Sequence, residues 1–158
     1  MVELRAIERE DLPQMLTWRN NPKNRRFFRE YRPLNMKHQT AWLESLADDR
    51  NTQMFAITES GELVGACGLT SIDWLARSAE VSLYIGDCYL DEDMAPQALK
   101  CLEKYAQSVV GLRRLWAEVW AFDVRKRALF TGYTLEATKR QAHWANGWHD
   151  VLIYGRLF

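Results

Sequence analysis

Three acids, Asp91, Glu92 and Asp93, stand where a strand feeds a helix. The strand reads Glu80-Val81-Ser82-Leu83-Tyr84-Ile85, and the helix opens at Pro96. The first N–H groups of a helix have no partners and meet the positive end of its dipole, so such a corner suits a phosphate. Carboxylates there oppose a phosphate, or act simply as the acids that the dipole favours at that end. The corner therefore pairs the geometry of an anion site with the opposite charge.

Other residues could also do chemistry. Arg19, Lys23, Arg25, Arg26, Arg29 and Arg32 crowd one short stretch, with Glu30 its only acid. This is either a solvated face or a phosphate-binding edge, since guanidinium presents a planar donor fork to phosphate. Glu118 lies between Trp116 and Trp120, whose indoles would shield it and raise its pKa. Most tryptophans read as core, but Trp74, Trp144 and Trp148 sit in polar surroundings from which they could stack on a sugar or base. Cys67, Cys88 and Cys101 show no zinc spacing with the histidines, so no metal is expected.

These residues need elements to position them. Val2 and Leu4 alternate with charged neighbours as a short strand, and Asp11 to Trp18 reads as a helix with Pro13 in its first turn. Asn35 can cap a second helix carrying Trp42, Leu43 and Leu46. Gln53–Thr58 and Leu63–Leu69 form a hairpin around Glu59-Ser60-Gly61-Glu62, and Ser78–Ile85 is the next strand. From Pro96, apolar residues recur at helical spacing up to Gly111, a helix-ending residue. Leu115–Trp120 is a strand, Val124–Phe130 a short helix, and Tyr133–Gln141 with His149–Tyr154 a hairpin turning near Asn146-Gly147. Residues 1–158 are expected to form one α/β (α+β) domain, with helices on both faces of a mostly antiparallel sheet.

Composition narrows the partners. Lys plus Arg number 21 and Asp plus Glu 21, so the net charge is zero. That gives no case for nucleic acid or an anionic membrane. No apolar run approaches the ~20 residues of a membrane span, and the first residues lack the apolar core of a signal peptide. An odd cysteine count fits a reducing cytoplasm.

In order along the chain, several local patterns converge. Trp18-Arg19-Asn20, His38 ahead of Trp42, Phe55-Ala56-Ile57 with Leu63-Val64-Gly65, Ala79–Gly86, Gly132-Tyr133 with Glu136, and Gly147-Trp148-His149-Asp150 with Tyr154 all contribute. Together they resemble the Gcn5-related N-acetyltransferases, in particular the ribosomal-protein and amino-sugar acetyltransferase branch. The resemblance implies acetyl transfer from acetyl-CoA to a primary amine of a small metabolite, such as a nucleotide-linked amino sugar. It implies that the pantetheine arm lies along Leu83, Tyr84 and Ile85. The pyrophosphate would lie near Asp93, Met94 and Ala95, with Asp123 on the following loop. Glu80 stands where the family's base often sits, Glu118 is a second choice, and Tyr133 is a candidate proton donor. Arg19, Arg25, Arg26, His38 and Trp74 are candidates to meet the acceptor. A monomer or homodimer is expected.

The chain departs from the family at three points. In the pyrophosphate loop, Leu90 replaces a Gln or Arg and Asp93 replaces a glycine, while Ala95 fits. A carboxylate about 5 Å from a phosphate charge costs roughly 1–3 kcal/mol at intermediate dielectric. Arg125-Lys126-Arg127 could offset this. Asp123 stands in place of the usual Asn. Phe130 falls near the usual tyrosine and cannot donate a proton, so Tyr133, Tyr84 or water would have to. Two alternatives therefore stay open: acetylation of a protein N-terminus, and a module that binds without catalysis.

Overall fold

The computed structural model describes residues 1–86 and 93–158. Leu90, Asp91, Glu92 and Cys88 lie outside the described residues. Twelve elements follow along the described chain: β1 (Val2–Ala6), α1 (Leu12–Asn20), α2 (Pro22–Arg25), α3 (Met36–Ser45), β2 (Gln53–Glu59), β3 (Glu62–Asp73), β4 (Ser78–Ile85), α4 (Met94–Tyr105), β5 (Arg114–Trp120), α5 (Val124–Leu129), β6 (Thr134–Trp144) and β7 (Trp148–Leu157). They form one sheet in the order β1-β2-β3-β4-β5-β7-β6. Every neighbouring pair is antiparallel except β4–β5, which is parallel. The mixed, largely antiparallel sheet flanked by helices agrees with the sequence reading.

Alternation along the strands divides the core in two. Val81 and Leu83 of β4 and Leu115, Ala117 and Val119 of β5 pack with Ala98, Leu99 and Leu102 of α4. A buried leucine such as Leu102 contributes about 1.5–3 kcal/mol. On the opposite face, Leu12, Met15 and Trp18 of α1 meet Ala56 and Ala66, with Trp42, Leu43 and Tyr84 packed alongside. β4 therefore turns its aliphatic residues to one layer and Tyr84 to the other.

Local chemistry fixes the element ends. Asn35 Oδ1 accepts the His38 N–H and His38 Nδ1 accepts the Asn35 N–H, both at 3.1 Å, closing the start of α3 reciprocally. Pro96 occupies the third helical position rather than the first, because α4 begins at Met94; a missing N–H is harmless throughout the first turn. The helix runs into a π-helical turn, Ala106–Val110, and stops at Gly111 with φ of 76°. The four-residue α2 is the element absent from the sequence reading, being too short to carry a period.

Two close fits suggest tests. A Cβ on Gly86 would stand 2.3 Å from Cε2 of the buried Trp18, so glycine at the end of β4 is what lets α1 approach. Gly86→Ala should cost about 1–3 kcal/mol through overpacking and lower the melting temperature by several degrees. The other fit is ionic. Asp11 accepts Arg5 Nη1 and Nη2 at 2.7 and 2.8 Å and the Glu8 N–H at 2.8 Å. The Arg5 bond holds its carboxyl below the usual range despite burial. A depressed acid stabilises the fold above its unfolded pKa and ceases to as pH falls through the folded one. Asp11→Asn should therefore melt below wild type at pH 7, and the gap should close well below about pH 4, the ordinary aspartate value.

Candidate active site

β4 and β5 pair for three residues only: Ser78 with Arg114, Ala79 with Leu115, and Glu80 with Trp116. Beyond that point β4 continues to Ile85 and β5 to Trp120 without a bridge between them. Each strand stays paired on its other side, to β3 and β7. The result is a wedge whose walls are each paired to a further strand and whose inner backbone edges have no strand partner.

A cavity of about 510 Å³ occupies this region. Leu83, Tyr84 and Ile85 of β4, Ala95 of α4, and Asp123, Val124, Lys126 and Leu129 around α5 line it. Trp18, Asn24, Arg26, Phe27, Phe28, Phe122 and Arg125 complete the lining. The sequence candidates for the pantetheine arm therefore share one cavity with Ala95 and Asp123. Asp93 stands at the N-cap of α4 without a side-chain capping bond, and Met94 is buried in the core. Asp123 caps α5 by accepting the Lys126 N–H at 3.0 Å. Lys126 lines the cavity half-buried. Burial pushes its ammonium pKa down; Asp123 opposes this, Arg29 adds to it, and Glu80 also opposes.

Four charges meet where the strands part. Glu80 is 5% exposed and Glu118 is two residues past the last bridge on β5. Arg29 Nη1 donates to Glu80 Oε2 at 3.1 Å, and Nη2 donates both to Glu80 Oε1 and, at 3.1 Å, to Glu118 Oε2. Lys139 of β6 donates to Glu118 Oε1. Thr70 Oγ1 lies 3.5 Å from Glu80 Oε2. The expected rise in the Glu118 pKa is overturned: burial does push it up, but Lys139 and Arg29 together outweigh burial, and it ends below the usual range. Arg29 lies 51 residues from Glu80 and Lys139 lies 21 from Glu118, in no common motif; only the crowding of arginines with a single acid hinted at Arg29.

The tyrosines separate. The Tyr84 hydroxyl is buried without a hydrogen-bond partner among the described residues, in a ring lining the cavity between Trp18 and Phe28. Burial pushes its pKa well up, and Arg19 pulls slightly the other way. Tyr133 is outside the lining: its hydroxyl donates to Glu103 Oε1 at 2.9 Å, and Arg156 holds the same carboxylate. Phe130 is fully buried and packs edge-on against Tyr133.

The acceptor candidates scatter. Arg26 lines the cavity, its guanidinium 4.7 Å from the Phe27 ring centre. Arg19 lies over Phe28 at 4.9 Å, and Arg25 ends α2; neither is in the lining. His38 is occupied in the α3 cap, and Trp74 donates to Asn51 Oδ1 at 3.2 Å on the surface. Trp144 and Trp148 are exposed and pack on each other at the β6–β7 turn. Among the described residues no cluster of three His, Cys, Asp or Glu could hold a metal, and no helix is long and apolar enough to cross a membrane.

A sheet that opens between two parallel strands beside a cavity has room for an extended ligand arm. The chain belongs to the acetyltransferase (GNAT) domain family, which its residues 2–133 match. It is 30% identical over 66% of its length to the ribosomal-protein-serine acetyltransferase of Escherichia coli K12, of which the match spans about 60%. It is 27% identical to the spermidine N(1)-acetyltransferase of the same organism, over 99% of this chain and 86% of that one. The solved spermidine N-acetyltransferase from Vibrio cholerae, in complex with CoA and spermine, superposes with a TM-score of 0.92 at 21% identity, covering 99% of this chain and 95% of that one.

Proposed function

We propose that the chain is an acetyl-CoA-dependent N-acetyltransferase acting on a small, cationic primary amine of the polyamine type. The observation that carries this reading is the parting of β4 from β5 after Glu80 and Trp116. It leaves backbone hydrogen-bonding groups of Leu83–Ile85 facing a cavity, while the Glu80 and Glu118 carboxylates, joined through Arg29, lie where the strands part, outside the cavity lining. Unbridged strand edges in a buried place need partners, and an amide-bearing arm is a chemically matched one. Bound acetyl-CoA would supply the activated acyl group as a thioester.

The chain's own groups supply the remainder. A primary amine is protonated at neutral pH, since its pKa is about 10, and must lose a proton before it attacks. Glu80, reached directly or through water, is the group we assign to that proton. Glu118 would hold a second positive charge on the acceptor. Backbone N–H groups of the open β4 edge would stabilise the negative charge that develops on the thioester oxygen. Tyr84, with a free hydroxyl in the cavity wall, is better placed than Tyr133 to protonate the departing thiolate. The Arg-rich stretch supports a nucleotide-linked acceptor less well, because Arg29 is bonded to Glu80 and Glu118, and Arg32 to Glu30. The likeness to a ribosomal-protein acetyltransferase keeps an N-terminal peptide as the competing acceptor.

Thiol release from acetyl-CoA should be followed with linear diamines and triamines, an amino-sugar nucleotide and a serine-ended peptide. The linear amines should react fastest, and acetyl-CoA alone should raise the melting temperature. No thermal shift and no transfer to any acceptor would end the proposal in favour of a binding module. Glu80→Gln should lower kcat about a hundredfold or more. Tyr84→Phe should lower kcat at least tenfold with little change in KM for the amine. Tyr133→Phe should lower the melting temperature instead, because it leaves Glu103 short of a donor.

A further inference from the structure

We propose that Arg29 is an internal stand-in for the acceptor's charged amine, and that an acceptor enters by displacing it; the inference rests on the assignment of Glu80 and Glu118 to the amine site. A carboxylate as buried as Glu80 needs a permanent positive partner, since an unpaired buried charge is strongly destabilising. Arg29 provides one from outside the sheet. Its side chain is 55% exposed while that of Glu80 is 7% exposed, so the guanidinium reaches inward from solvent. Arg29 belongs to neither strand nor helix: it lies in the bends and turns between α2 and α3. Such a segment can withdraw a side chain without breaking a ladder of backbone bonds.

Charge balance then sets the acceptor class. Two carboxylates, Glu80 and Glu118, face two cations, Arg29 and Lys139. On the cavity side Asp123 and Lys126 add one charge of each sign, and Arg26 and Arg125 bring two further cations to the lining. An acceptor carrying its own ammonium groups replaces Arg29 and keeps the balance. A neutral or anionic acceptor that moved Arg29 aside would leave Glu80 buried and unpaired. Arg29 thus acts as a specificity residue: it weakens binding of every acceptor, and only a cation can compensate. A charge-assisted, two-pronged contact of this kind should raise the apparent KM for a diamine about tenfold or more.

The test compares wild type with Arg29→Ala, Arg29→Gln and Arg29→Lys. With acetyl-CoA saturating, Arg29→Ala and Arg29→Gln should lower KM for 1,4-diaminobutane about tenfold, and Arg29→Lys should fall between. Without acetyl-CoA, the diamine should raise the melting temperature of Arg29→Ala more than that of wild type. Methylguanidinium should raise the melting temperature of Arg29→Ala and leave wild type unmoved. A KM that is unchanged or higher in Arg29→Ala and Arg29→Gln, with no added stabilisation by either cation, would overturn the proposal and leave Arg29 a structural or acceptor-binding residue. Should Arg29→Ala fail to fold, Arg29→Gln and Arg29→Lys carry the same comparison. If wild type acetylates no amine, the activity proposed above fails, and the two melting experiments still decide the role of Arg29.

Discussion

Parallel strands hold one another by slanted, evenly spaced hydrogen bonds, and β4 and β5 keep theirs for three residues. Each strand is fixed by its other neighbour, so the divergence is built into the sheet. The buried aliphatic residues of both strands still share one layer with α4. An interior backbone edge is thereby exposed without loosening the core beneath it. The cavity, its lining and the carboxylate pair all follow from that geometry.

The electrostatics at the crotch depend on the same parting. Where strands separate, side chains on the face away from α4 lose their lateral neighbours, and charged groups can enter. Two acids are paired there with cations from distant parts of the chain, the bends before α3 and the outer strand β6. Burial alone would push the Glu118 carboxyl up, yet Arg29 and Lys139 outweigh it. Aromatic packing frames the entrance. Phe28 meets Tyr84 edge-on, Phe27 meets Phe122, and His143 lies flat on Trp120, 4.1 Å away, while its Nε2 donates to the Arg26 carbonyl.

Much of the fold was legible because it is written locally. Alternation marked the strands, Asn35 marked the start of α3, Gly111 marked the end of the π-helical turn after α4, and Asn146-Gly147 marked the last hairpin. The candidate site was legible where it lies on a strand: Leu83, Tyr84 and Ile85 line the cavity, and Glu80 stands at the last bridge before β4 and β5 part. It was illegible where partners come from afar. Nothing near Glu118 announces Lys139, and nothing in a run of arginines says which one turns inward. His38 shows the converse: a histidine read from the sequence as a candidate to meet the acceptor instead closes the Asn35 cap.

One consequence concerns the outermost strand. β6 borders β7 alone and is solvent-exposed along nearly all its length, yet it delivers the ammonium that neutralises Glu118. Edge hairpins fray at lower free-energy cost than interior strands. Transient separation of β6 would strip a counter-charge from Glu118 while every other layer stayed folded. Whatever clamps that border, whether a second copy of the chain or any other partner, would thereby tune the acidity of Glu118 from a distance.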